Sequence, residues 1–233
     1  MILCNNTRKV LVIAAHPDDE LLGIGGTIAR LAQAGIDATA LILGEGLTSR
    51  MKERKEADMP TLADFRALCK TAAGLVGYSS VSFSCLPDNR FDECSLLDII
   101  KIIEQEIEYI KPDTVFTHHG HDLNIDHQLA FKAALTATRP LPGCPIKNVF
   151  TFETLSSTEW SFPGHSGTFL PNTFVDITTT IDTKIKALQL YKTEMREFPH
   201  PRSPEGIISQ AKNRGTTIGL EYAEAFQLIR TVS

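Results

Sequence analysis

Lys9 to Ala15, KVLVIAA, is a short, continuous run rich in β-branched residues. A run of that kind is a strand buried on both faces, as in the middle of a parallel sheet. Helical spacing follows from Glu20 to Gly35, where Leu21, Leu22, Ile28 and Leu31 recur on one face and Gly35 supplies a stop. Asp37 to Leu43 reads as the next strand, and the alternation continues with a helix over 61–77, a strand over 79–83, a helix over 95–110, a strand over 114–117 and a helix over 125–138. Further short strands are expected at 148–152 and 173–177, and a helix at 181–192. Strand and helix taking turns in this way are the mark of right-handed βαβ units. The expected architecture is a Rossmann-like α/β fold, a mostly parallel sheet with helices on both faces. With no break in composition, residues 1–233 are read as one domain.

Composition narrows the function classes. A net charge of −5 without a basic stripe argues against nucleic acid or an anionic membrane surface as the main partner. The five cysteines are scattered and include no C-x-x-C pair, so neither a disulfide framework nor a cysteine zinc site is signalled. No apolar run approaches the roughly 18 residues of a membrane span, and the start lacks a signal-peptide cleavage region, so a cytoplasmic location is expected. Two segments, 45–59 and 156–171, read as loops, where binding residues tend to sit.

In an open parallel sheet, ligands bind beyond the carboxyl ends of the strands. Two such places carry chemistry. AHPDDE, Ala15 to Glu20, follows the first strand, and HHGHDLNIDH, His118 to His127, follows the strand ending at Thr117. Four of the seven histidines lie in the second stretch and a fifth is His16. Two imidazoles and a carboxylate are a standard ligand set for a catalytic zinc, which keeps one position open for water. Pro17 stiffens the turn in the first motif, and Asn124 and His127 share a helix face. The plainer alternative is that Asp18 or Asp19 caps the helix beginning near Glu20. His165 and His200 are read as ordinary hydrogen-bonded surface residues.

These motifs closely resemble those of the PIG-L/LmbE family of zinc-dependent N-acetylglucosamine-type deacetylases. LPDNRFD at Leu86 to Asp92, SSTEW at Ser156 to Trp160, and the tail from Tyr191 through PHPRS to AEAF extend the resemblance over nearly the whole chain. The resemblance implies that His16, Asp19 and His127 bind the metal and that Asp18 is the general base. It places Arg66 before a helix and, with Asp88, in contact with the substrate. It also implies zinc as the ion, with iron(II) as the alternative in a cell. Many members carry H-P-D-H at the third ligand where this chain has N-I-D-H. Asn124 therefore stands where the family has a histidine, so that histidine's oxyanion role does not carry over directly, and the metal with Asn124 or a nearby histidine is expected to hold the oxyanion. The implied substrate is a small N-acetylated sugar or sugar conjugate from bacterial glycan or nucleotide-sugar metabolism, and a homo-oligomer is common among such proteins.

Two other readings compete. A non-haem iron(II) enzyme uses the same two-histidine, one-carboxylate set, but has no need of the spare aspartate beside it. A non-catalytic nucleotide-binding module would rest on Gly23-Ile24-Gly25-Gly26. That run lacks G-x-G-x-x-G spacing and falls inside a helix, where its glycines are expected to permit close helix-to-strand packing.

Overall fold

The computed structural model describes residues 3, 7–46, 59–162 and 167–232. His165 and the greater part of the 45–59 loop lie outside them. The elements run β1 (Lys9–Ala14), α1 (Asp19–Gln33), β2 (Asp37–Gly44), α2 (Met59–Val76), β3 (Ser80–Leu86), α3 (Leu96–Ile110) and β4 (Thr114–His118). They continue with α4 (Ile125–Ala137), β5 (Asn148–Phe152), β6 (Thr173–Asp176), α5 (Ile181–Leu188), α6 (Pro204–Thr216) and β7 (Ala223–Thr231). The described strands form one seven-stranded sheet in the order β3-β2-β1-β4-β5-β7-β6.

The first five strands of that order are parallel, as their continuous apolar runs require. In β1, Val10 and Val12 join the core beneath α1, α2 and α5, while Leu11 and Ile13 join the core beneath α3 and α4. Both faces are therefore covered. Because β2 lies on one side of β1 and β4 on the other, the order reverses between β1 and β4, and a crevice opens beyond their carboxyl ends.

The carboxyl-terminal part departs from simple alternation. The sequence reading ends its last helix at residue 192 and leaves α6 and β7 unassigned. In the structure α5 stops at Leu188 and tightens into three-residue turns, with Leu190 N donating to Ala187 O at 3.2 Å and Tyr191 N to Leu188 O at 2.9 Å. β7 then runs antiparallel between β5 and β6.

β7 also delivers a charge to the interior. Glu224 Oε1 and Oε2 accept from the backbone N–H groups of Gly26 (2.9 Å) and Thr27 (2.7 Å) in α1. Lys184 Nζ donates to Glu224 Oε1 at 2.6 Å and to Leu22 O at 2.7 Å, with both side chains buried. Leu22 O and Gly26 N, four residues apart in one helix, thus each carry a side-chain bond. Lys184→Met strands the carboxylate and is expected to cost roughly 3–5 kcal/mol by denaturant unfolding. The double variant Lys184→Met/Glu224→Leu should lose less, because it leaves no buried charge without its partner.

Candidate active site

α1 begins directly after β1, so its first turn stands at the crevice. The start is tight. Asp18, the residue before the helix, has φ 99°, a left-handed conformation that costs a non-glycine residue roughly 1–3 kcal/mol. Asp18 N donates to Glu20 Oε2 at 2.9 Å, and its carboxylate takes Arg202 Nη1 at 2.8 Å. Its side chain makes no capping bond, and Asp19 Oδ2 accepts from His16 N at 2.9 Å. Capping does not account for either aspartate.

His16, Asp19 and His127 are brought together, with one ligand atom from each lying within 4.8 Å of the others. Asp19 is fully buried and His127 nearly so. The ring nitrogens are sorted by outer carboxylates. His16 Nε2 meets Asp126 Oδ2 at 2.9 Å, leaving Nδ1 3.4 Å from Asp19 Oδ2. His127 Nδ1 faces Asp122 Oδ1 at 3.2 Å, leaving Nε2 3.3 Å from Asp19 Oδ2. Each histidine thus turns one nitrogen to a common point; the other is hydrogen-bonded to Asp126 in His16 and faces Asp122 at ion-pair distance in His127, the outer arrangement usual for a metal ligand. Asp19 Oδ1 is buried without a hydrogen-bond partner. An unsatisfied buried carboxylate oxygen beside two oriented imidazoles fits a divalent cation.

The electrostatics of the metal-free chain follow from this packing. Burial opposes charge on His16 and His127, yet Asp126 and Asp19 raise His16 to about 10, and Asp19 and Asp122 raise His127 to about 9. Asp19 is held well below the usual carboxylate range, because the charged His127 beside it, with a bond from His16, overcomes its burial. Burial pushes Asp18 up to about 7, with Arg202 pulling the other way.

His118, the last residue of β4, stacks on His127 with ring centroids 3.9 Å apart. Its Nε2 accepts from Ala15 N at 2.9 Å and its Nδ1 lies 3.2 Å from Thr154 Oγ1, so it is neutral and its lone pair is already used. It therefore stacks against His127 with no lone pair left to face the cluster.

A cleft of about 260 Å³ opens over this cluster, lined by His16, Asp18, Gly46, Asp88, Asn124 and Arg202 among others. Asp88, just beyond β3, accepts from Gly46 N at 2.8 Å, and a Cβ on Gly44 would lie 2.6 Å from Asp88 Oδ1. Asn124 is the N-cap of α4: its Oδ1 accepts from Asp126 N at 2.8 Å and its Nδ2 donates to Asn89 Oδ1 at 3.1 Å. One amide N–H of its two remains for a ligand.

Arg66 is different. It lies inside α2 rather than before a helix, donates from Nη2 to Cys85 Sγ at 2.6 Å, stands over the Phe83 ring at 5.6 Å, and is not among the residues lining the cleft. The glycine run behaves as packing: it lies within α1, and a Cβ on Gly23 would collide with the Phe152 ring. No motif in the sequence assigns a role to Arg202, Glu194, His118, Asp122 or Asp126. The last two could have been found, since carboxylates flanking a candidate ligand histidine are its natural outer partners.

Among relatives, the diacetylchitobiose deacetylase of Thermococcus kodakarensis is 26% identical over 230 residues, spanning 97% of this chain and 84% of its own. The 4-oxalmesaconate hydratase of Pseudomonas putida is 27% identical over 243 residues, spanning 95% of this chain and 89% of its own. The structure of the N,N'-diacetylchitobiose deacetylase from Pyrococcus horikoshii superposes with a TM-score of 0.77 at 21% identity, covering 97% of this chain and 85% of that one, which shows a shared fold. The PIG-L family model, described as GlcNAc-PI de-N-acetylase, matches residues 11–138, more than half of the sequence, and the chain therefore belongs to the PIG-L family.

Proposed function

We propose that this chain is a metal-dependent N-deacetylase that hydrolyses the acetamide of an N-acetylated amino sugar or sugar conjugate, in bacterial glycan or nucleotide-sugar metabolism. The observation that carries the reading is the pair of adjacent aspartates doing different work. Asp19 faces His16 and His127, while Asp18 turns into the cleft against Arg202. Metal-assisted hydrolysis of an amide uses both a ligand set and a nearby base.

His16 Nδ1, Asp19 and His127 Nε2 are the atoms placed to hold the ion, for which we propose zinc, with iron(II) as the alternative in a cell. When bound, such an ion acidifies water and polarises a carbonyl. The rest falls to the chain. Asp18 takes the proton of the attacking water on a carboxylate oxygen and returns it to the departing amine nitrogen, which is too poor a leaving group as an anion. Arg202 keeps that carboxylate aimed into the cleft. The second N–H of Asn124 Nδ2 is available to the developing oxyanion. Asp88 offers an acceptor for sugar hydroxyls. Arg66 is proposed to reach substrate from outside the residues that line the cleft.

The single seven-stranded sheet supports reading residues 1–233 as one deacetylase domain. No helix among the described residues is long and apolar enough to cross a membrane, and a cytoplasmic homo-oligomer is the proposed state. Neither the iron oxygenase nor the nucleotide-binding alternative finds support among the relatives. The hydratase relative shows that the fold serves a second chemistry, so the reaction itself must be measured. A panel of N-acetylated sugars with zinc supplied should release acetate stoichiometrically with free amine. Release from no member of a broad panel would refute the reading.

A further inference from the structure

The cleft is small. At about 260 Å³ it falls below the roughly 300–1,000 Å³ typical of drug-sized ligand sites. It suits one acetamido sugar, and anything joined to that sugar must leave across the wall. Arg202 forms part of that wall, and its backbone N–H donates to His200 Nδ1 at 3.1 Å. The His200 ring stands edge-on to Trp160, with centroids 5.5 Å apart and planes at 82°. Trp160 is the only tryptophan in the chain and is 39% exposed.

The segment carrying Trp160 is fixed by polar bonds to the reacting centre. Thr158 Oγ1 donates to Asp122 Oδ2 at 2.7 Å, and Ser157 Oγ also bonds Asp122, the carboxylate behind His127. Arg202 Nε donates to Ser156 Oγ at 2.8 Å while its Nη1 holds Asp18. The same two residues that support ligand and base thus set the position of the indole. An indole gives a broad apolar face at low conformational cost, and the C–H face of a pyranose is its natural complement.

We infer that Trp160, with His200 behind it, is a stacking subsite for a second ring joined to the acetamido sugar. The preferred substrate is then a conjugate of at least two rings. The inference rests on the deacetylase reading, and the test separates the two.

N-acetylglucosamine and N,N'-diacetylchitobiose serve as one-ring and two-ring probes, with acetate release measured for each. The ratio of kcat/KM for the two-ring over the one-ring probe should fall about tenfold in Trp160→Ala, mainly through KM, and be largely kept in Trp160→Phe. His200→Ala should lower the same ratio by less. Because the chain has one tryptophan, its fluorescence in folded Asp18→Asn protein should change on adding the two-ring probe and saturate. Acetate released from both probes, with that ratio unmoved in Trp160→Ala and the fluorescence unchanged, would overturn the subsite and leave the deacetylase standing. Failure to release acetate from either probe or from any other N-acetyl sugar would overturn both.

Discussion

Asp18→Asn is expected to keep its fold and its metal while hydrolysis falls by roughly 10²–10⁴-fold, the usual contribution of a general base. Asparagine is the informative replacement. It nearly matches the carboxylate in shape and, like aspartate, tolerates the left-handed backbone that φ 99° demands, so the start of α1 survives. What it lacks is the ability to accept the water's proton. Arg202 remains anchored through Ser156 and near Glu194, at 3.6 Å. Asp19→Asn should behave otherwise: it removes the one charged ligand and the chief partner holding His127 protonated, so metal content falls first. Steady-state rates and metal analysis of the two variants side by side read the difference. Full activity in Asp18→Asn, or metal loss equal to that of Asp19→Asn, would exchange or abolish the two roles.

The second large effect concerns proton release. In the metal-free chain His16 and His127 are raised to about 10 and about 9, so both carry a proton at neutral pH, whereas His118 is lowered to about 3 by burial and by His127 and carries none. A metal ligand must be deprotonated, so binding should expel about two protons near pH 7.5. The sign follows. Affinity should rise with pH while both imidazoles hold protons, and level off as pH passes their raised values. Calorimetric zinc titrations in two buffers of different ionisation enthalpy count the protons directly. In His127→Ala the metal should no longer bind stoichiometrically, and retention of one ion per chain would remove His127 from the set.

Much of this was readable from sequence because the relevant signals are local. KVLVIAA is apolar at every position that two covered faces require, and the observed β1 differs only at its final residue. The strand Asn148–Phe152 matches its expected bounds. AHPDDE places the proposed ligand and the proposed base next to one another simply because a strand ends and a helix begins there. The unread parts depend on distance. β7 carries Glu224 in its interior, which obscures a strand pattern, and only the Lys184 ammonium and the α1 backbone make that burial tolerable. α6 shows a weak apolar face, with Ile207 and Ala211 its main buried apolar side chains. Arg202 is 184 residues from the Asp18 it holds, a separation at which no spacing rule speaks. Arg66 lies within α2 rather than before a helix, and its contacts with Phe83 and Cys85 on β3 are not legible from a single arginine, which carries no motif.

One ion held by His16, Asp19 and His127 is proposed to make this chain an amide hydrolase. The most direct measurement strips the protein of metal with a chelator, then restores zinc in fractional steps while following acetate release from the best N-acetyl sugar of the panel. The account predicts negligible release from the stripped protein and a linear return of rate that saturates at one ion per chain. Full-rate acetate release from protein shown to hold no metal would contradict it.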